Sequence, residues 1–192
     1  MAKLIWDSVK TTVIKAVEGM EWLQKVADLI CYDNHVVTWN TPNGFPVQQN
    51  YMKMKQECVR LRFNKAQLRF YNQRETDDVD NRAQRNGIAP NFIHSMDACH
   101  LQRVVNAMKQ LGDDNFMMIH DSFGTDCAHA GLLYKVIRQE FVNLYKDQNH
   151  LENFLESVKY LIGDYKLSKV PEIPAFGNLD LDLVTQSDFC FA

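Results

Sequence analysis

The chain has 192 residues, 46% of them hydrophobic and 23% charged, with a formal net charge of -3. That apolar share excludes a disordered tail and predicts a packed core, while the small negative charge gives no chain-wide footprint of a nucleic-acid binder, although charge can be segregated. The five cysteines (Cys31, Cys58, Cys99, Cys127, Cys190) are odd in number, widely spaced and free of any C-x-x-C pair, so they read as reduced thiols of a cytoplasmic protein.

The opening segment KLIWDSVKTTVIKAVEGMEWLQKVADLI sets Leu4, Ile5, Trp6, Val9, Val13, Val17, Met20, Leu23, Val26 and Ile30 at steps of three and four. The spacing predicts one long amphipathic helix over residues 1–30. Charges at Lys3, Asp7, Lys10, Lys15 and Glu18 argue against a signal peptide, and no run of about eighteen apolar residues predicts a membrane span. A chain that opens directly on a helix raises the expectation of preceding sequence.

Next, HVVTWN and FPVQQNY flank TPNG, a hairpin signal around Pro42, Asn43 and Gly44. VRLRF (59–63) and QLRFY (67–71) then alternate apolar with basic residues. Period two puts Arg60, Arg62 and Arg69 on one face of a ribbon, within a β-ribbon region spanning 35–80. Such a face is either solvated or a phosphate-contacting strip. The acidic run ETDDVD (75–80) is expected to be a mobile surface loop.

In NGIAPNFIHSMDACHLQRVVNAMKQLG, Gly87 and Pro90 punctuate a predicted helix start with Asn91 as cap, and Gly112 ends the helix. Ile93, Leu101, Val104, Val105, Met108 and Leu111 form its apolar stripe, with His94 on the inward side, the place of a satisfied core histidine. Residues 115–128 form a second hairpin candidate, in which FMMI leads in, HDS turns and FGTDC leads out. Cys99 beside His100, and Cys127 near His129, lack a repeated ligand spacing and read as thiols. Helices are predicted over 130–147 and 150–163. The tail holds prolines and glycines that forbid a long helix, and its apolar end, Phe189 to Ala192, predicts a docked terminus.

Asp121 interrupts an apolar strand pattern at the tip of this second hairpin. A carboxylate held there is rigid and exposed, which suits Mg²⁺, a hard cation bound by one or two carboxylates plus substrate phosphates. An Asx-type turn is the competing use. A two-metal phosphoryl-transfer site needs a second carboxylate from another element.

IHDSFGT together with AQRNGIAPNFIHSMDACHL, and with AKLIW, TPNGFPV, PAFGNLDL and SDFCFA in the same order along the chain, closely resembles the carboxy-terminal part of the single-subunit DNA-directed RNA polymerases of bacteriophages and mitochondria. The resemblance covers essentially the whole chain. It implies an α+β fold forming part of a polymerase right hand, with a palm carrying the motif C β-hairpin, packed helices and an outer β-ribbon. The 192 residues would be a single unit, with residues 87–192 supplying palm and carboxy-terminal foot. It implies that Asp121 is one of two aspartates holding catalytic Mg²⁺, that His120 lies near the RNA 3′ end, and that His94 faces the substrate cleft. Arg60, Arg62 and Arg69 become candidate nucleic-acid contacts. Cys190 departs from the family's usual alanine. The other metal aspartate and the fingers helix belong to sequence preceding Met1. The implied partners are an amino-terminal polymerase portion or subunit, DNA template, RNA transcript and ribonucleoside triphosphates, with no membrane, in the cytoplasm of a host cell if a phage encodes it.

Two other readings stay open at this point. One is a non-catalytic remnant or interaction module that binds nucleic acid or a polymerase. The other is part of a DNA polymerase or nuclease, against which Ser122, Phe123 and Gly124 count, since an acidic residue usually follows the hairpin aspartate in DNA polymerases.

Overall fold

The opening helix is broken. In the computed structural model, which describes residues 2–63, 66–146 and 148–187, α1 (Ala2–Thr12) stops at Val13 and α2 (Ile14–Cys31) begins after it. The chemistry is local. Thr11 and Thr12 both donate their hydroxyls to Ser8 O, at 2.9 Å each, and the β-branched run Thr11, Thr12, Val13 fits a helix poorly. Where the burial of the predicted apolar stripe is described, Leu23, Val26 and Ile30 lie inside with Trp22, Ala27 and Cys31, whereas Leu4 and Val13 are exposed.

The hairpin read from TPNG is present as β1 (Val37–Asn40) and β2 (Pro46–Gln49), antiparallel with Trp39 opposite Val47. Gly44 adopts φ +80, the left-handed region in which only glycine is unstrained, and this allows Thr41 N to reach Phe45 O at 2.9 Å.

A two-stranded ribbon follows, β3 (Met52–Phe63) on β4 (Ala66–Val79). Its register pairs Arg60 with Arg69 and Arg62 with Gln67, so the three arginines share a face. Val59 opposite Phe70 and Leu61 opposite Leu68 share the other. The expected loop over 75–80 is corrected here, since residues 75–79 complete β4. Asn34, at φ 59, holds that stretch by donating to Asp77 O at 2.9 Å and accepting from Val79 N at 2.8 Å, and Val79 is buried. Local charge predicts a loop, but a distant amide and one buried valine decide for strand.

The start expected at Asn91 is also corrected. Asp80 caps α3 (Asn81–Gln110) by accepting from Ala83 N at 3.0 Å, and the helix runs straight through Gly87 and Pro90. Gly87 is required for space, because a Cβ there would lie 2.6 Å from the Tyr51 ring. The chain then forms β5 (Met117–Ile119), β6 (Ser122–Gly124), α4 (Ala130–Tyr145), α5 (His150–Val158) and a 3₁₀ turn (Lys159–Leu161). Two short helices, α6 (Asp164–Leu167) and α7 (Leu183–Gln186), interrupt the extended tail. The fold is α+β, with three separate two-stranded antiparallel sheets among the described residues.

Helix α3 spans two cores. Its first half meets Trp22, Trp39 and Phe154, with Phe92 and Phe154 rings 5.4 Å apart and Trp39 and Phe154 5.8 Å apart. Edge-on aromatic contacts of this kind add to simple area burial. Its second half places Val104 and Met108 against Leu133, Val136 and Ile137 of α4, with Phe116 and Phe123 packed on them. The tail is tied to α4 by Arg138, fully buried, which stacks on Tyr134 at 3.4 Å and donates to Ser187 O at 3.3 Å. The terminus expected to dock, 189–192, lies outside the described residues. No described helix is long and apolar enough to cross a membrane.

Candidate functional site

β5 and β6 are joined by a two-residue turn, His120 and Asp121, with Ile119 opposite Ser122 and Met117 opposite Gly124. His120 carries φ 55, a left-handed conformation that costs a non-glycine residue energy, although histidine tolerates it better than most. The turn is one residue shorter than the expected HDS, because Ser122 is already paired. Both His120 and Asp121 are exposed, and among the described residues no group hydrogen-bonds the Asp121 carboxylate.

The hairpin stands on a polar base that sequence reading missed. Asp113, its side chain fully buried, accepts from Asn115 N at 3.0 Å and from the Thr125 hydroxyl. Asp126 accepts from His129 N at 3.0 Å and from His129 Nδ1 at 2.9 Å. The Asp126 hydrogen bond pushes the His129 imidazole above its ordinary pKa, and the same bond holds Asp126 below its own. Ligand atoms of Asp113, Asp126 and His129 lie within 4.8 Å of one another, spacing that a cation could use. Their oxygens are already taken up by hydrogen bonds from both hairpin ends and from the start of α4, so the cluster serves as a clamp under Asp121. The only sequence signal is the grouping of Asp113, Asp126 and His129 around the hairpin, which period-two patterning does not register.

A second support comes from α3. The His100 ring packs edge-on to Phe123 of β6 at 5.6 Å, and its Nε2 lies 2.9 Å from Ile137 O. Burial pushes the His100 pKa down, keeping the ring neutral. His100 is thus the inward histidine of α3, and the inward placement expected for His94 is corrected. The buried face of α3 runs through Ile88, Phe92, Ser95, Met96, Cys99, His100, Val104 and Met108, leaving Ile93 and His94 on the open side. A stripe drawn from Ile93 to Leu111 misplaces the face because both of those residues are more than half exposed.

His94 borders two clefts. One, of about 520 Å³, lies between β1–β2, Tyr51 and the α3 face bearing Asn91, Ser95 and Gln102. The other is a larger groove on the α2 side. His94 and the Phe123 contact at His100 are six residues apart on one helix, about 9 Å of axial rise, so His94 and the hairpin share a rigid support.

The same helix anchors the end of the first hairpin and, through Tyr51, the root of the ribbon. Gln49 donates to Gln84 O at 2.6 Å and to Gln84 Oε1 at 2.9 Å, Gln84 donates back to Gln49 O at 2.6 Å, and Asn91 donates to Gln49 Oε1 and to the Tyr51 hydroxyl at 3.1 Å each. Arg60, Arg62 and Arg69 are exposed at the far end of the ribbon. Arg60 is eight residues beyond Met52, roughly 26 Å along the strand. The structure therefore joins His94 and the hairpin turn through α3, and carries the arginines outward from it.

A sequence model of the family described as DNA-dependent RNA polymerase matches residues 1–169. The chain is 40% identical over 207 residues to the DNA-directed RNA polymerase of Enterobacteria phage K11, covering all of this chain and 23% of that protein. It is 40% identical over 208 residues to the T7 RNA polymerase of Escherichia phage T7, again covering all of this chain and 23% of the relative. It is 37% identical over 172 residues to the mitochondrial DNA-directed RNA polymerase 1 of Nicotiana sylvestris, covering 90% of this chain and 16% of the relative. The chain thus spans about a quarter or less of the length of these relatives.

Proposed function

Because the chain belongs to the DNA-dependent RNA polymerase family, we propose that it acts as the carboxy-terminal part of a nucleotidyltransferase and contributes one of two Mg²⁺-holding aspartates, Asp121, to a site completed by an amino-terminal polymerase portion. The observation that carries this is the hairpin itself. A two-residue turn with a strained His120 presents the Asp121 carboxylate free of hydrogen-bond partners among the described residues, whereas Asp113 and Asp126 are consumed in the clamp beneath it. Hard oxygen, rigid backing and exposure fit Mg²⁺ as one member of a ligand set. When bound, the ion supplies charge stabilisation at phosphoryl oxygens.

The rest is positioning by this chain. The Asp113–Asp126–His129 clamp and the Phe123–His100 contact hold the turn, so that Asp121 needs little reorganisation. His120 places an imidazole beside that carboxylate, on the side assigned to the RNA 3′ end. His94, open on α3, is assigned to the substrate cleft. Arg60, Arg62 and Arg69 form a positive strip for DNA or RNA phosphates. The reaction is attack of an RNA 3′-hydroxyl on the α-phosphorus of a ribonucleoside triphosphate, directed by a DNA template, in the cytoplasm of the host cell if a phage encodes the chain.

The test is to combine the chain with the amino-terminal portion of the phage K11 relative, ending where similarity to this chain begins, and to measure Mg²⁺-dependent ribonucleotide incorporation. Asp121→Asn is expected to lower the rate at least about a hundredfold. Full activity of that variant removes Asp121 from the metal site. A complex that forms but never transcribes favours the non-catalytic module, and preference for deoxyribonucleotides favours a DNA polymerase.

A further inference from the structure

The larger groove beside His94 has a volume of about 1190 Å³ and lies between α2, the open side of α3, the α4–α5 connection and the extended tail. Met20, Leu23, Pro90, Ile93, Phe141 and Leu179 supply much of its lining. Ile93 is 55% exposed and Leu179 71% exposed, a high cost for large side chains on the surface of a finished protein. A small-molecule pocket is usually smaller, about 300–1,000 Å³.

Its charge argues for a protein occupant over nucleic acid. Among the described residues, the charged ones of the lining are Lys146 and Glu152. Lys146 is already engaged by both oxygens of Asp182, at 2.7 and 2.8 Å. A phosphate backbone requires a row of available cations, and the arginine ribbon has them where the described lining of this groove does not. An apolar trough of this kind suits the apolar face of an amphipathic helix.

The relatives indicate where that helix comes from. The chain accounts for 23% of each phage relative, and the remainder of such a molecule has to pack on some surface of this part. We propose that the α2–α3–tail groove is the docking site for an amphipathic helix from the amino-terminal portion of the polymerase. This rests on the function proposed above and gives it a location. Docking there brings the incoming polypeptide along the open side of α3, directly against His94, so the groove sets where the rest of the site arrives.

The experiment uses the full chain and, as probe, the same amino-terminal portion of the phage K11 relative, with affinity measured by interferometry and mass by sedimentation. Ile93→Glu and Leu179→Glu alter exposed side chains, so both variants are expected to melt like the parent chain while binding the probe about 30-fold or more weakly. Leu111→Glu, equally exposed but at the far end of α3 and outside the groove, is expected to bind as the parent does. Three results overturn the proposal: no complex with the parent chain, groove variants that bind normally, or a groove that joins two copies of this chain, seen as a dimer lost in both variants. If binding is groove-dependent but transcription is absent, the docking site stands and the catalytic reading falls. If transcription appears while binding is insensitive to the groove variants, the docking site falls and the catalytic reading stands.

Discussion

At the scale of the residue, the hairpin turn and its clamp divide the work between them. Asp121 was legible because one acidic residue between apolar runs marks a turn, and a two-residue hairpin loop leaves its side chain in solvent. The clamp was not, since Asp113 and His129 meet only after the hairpin folds and α4 begins beneath it. The clamp carries a pH signature. Below about pH 6.5, the ordinary value for histidine, the raised His129 gives its full stabilisation, which is lost as pH rises through the higher folded value. Asp126, lowered, contributes above about pH 3.9 and loses that as pH falls through its folded value. The pair therefore strengthens the hairpin base in the acidic window between the two. His129→Gln is expected to lower the melting midpoint more at about pH 5.5 than at about pH 8.5, by calorimetry on both proteins. Equal losses would mean that the pair is not an ion pair.

Among the elements, α3 is the one that organises the site. The sequence showed a helix but put its cap eleven residues late, because Gly87 and Pro90 are helix breakers by propensity. Two tertiary facts override them: Tyr51 occupies the space over Gly87, and the Gln49–Gln84 amides bond reciprocally at the buried end of the first hairpin. Replacing Gln84 with leucine removes the bonds its side-chain amide makes with Gln49 Nε2 and Gln49 O, leaving Gln49 only its bonds to main-chain groups on those atoms, and is expected to cost about 1–3 kcal/mol in urea unfolding. The ribbon, by contrast, was readable from its alternation, and its register keeps the three arginines together. If they hold duplex phosphates, changing Arg60, Arg62 and Arg69 to glutamine should flatten the plot of log affinity against log salt by about 2–3 units of slope. An unchanged slope would assign the arginines to solvent.

Across the whole molecule, two cores joined by one helix leave much apolar surface uncovered, including Leu4, Val13, Ile14 and the groove beside His94. A partner that binds only the folded chain raises its melting midpoint by mass action. The midpoint is accordingly expected to rise when the amino-terminal portion is added in excess, and an unchanged value would count against a stable complex. What the sequence by itself determined was the set of local patterns, namely the hairpins at TPNG and HDS, the alternating ribbon, the two helices after the second hairpin, and the motifs that carry the family likeness. These depend on periodicity and turn chemistry within a few residues. Tertiary structure alone decided that Leu23, Val26 and Ile30 of the opening apolar stripe are buried while Leu4 and Val13 are exposed, that ETDDV is strand, that His100 and not His94 is buried, and that three scattered polar residues form the base under Asp121. In each case the deciding contact joins residues far apart in the chain or depends on which helix face finds a core, and no local pattern contains that information.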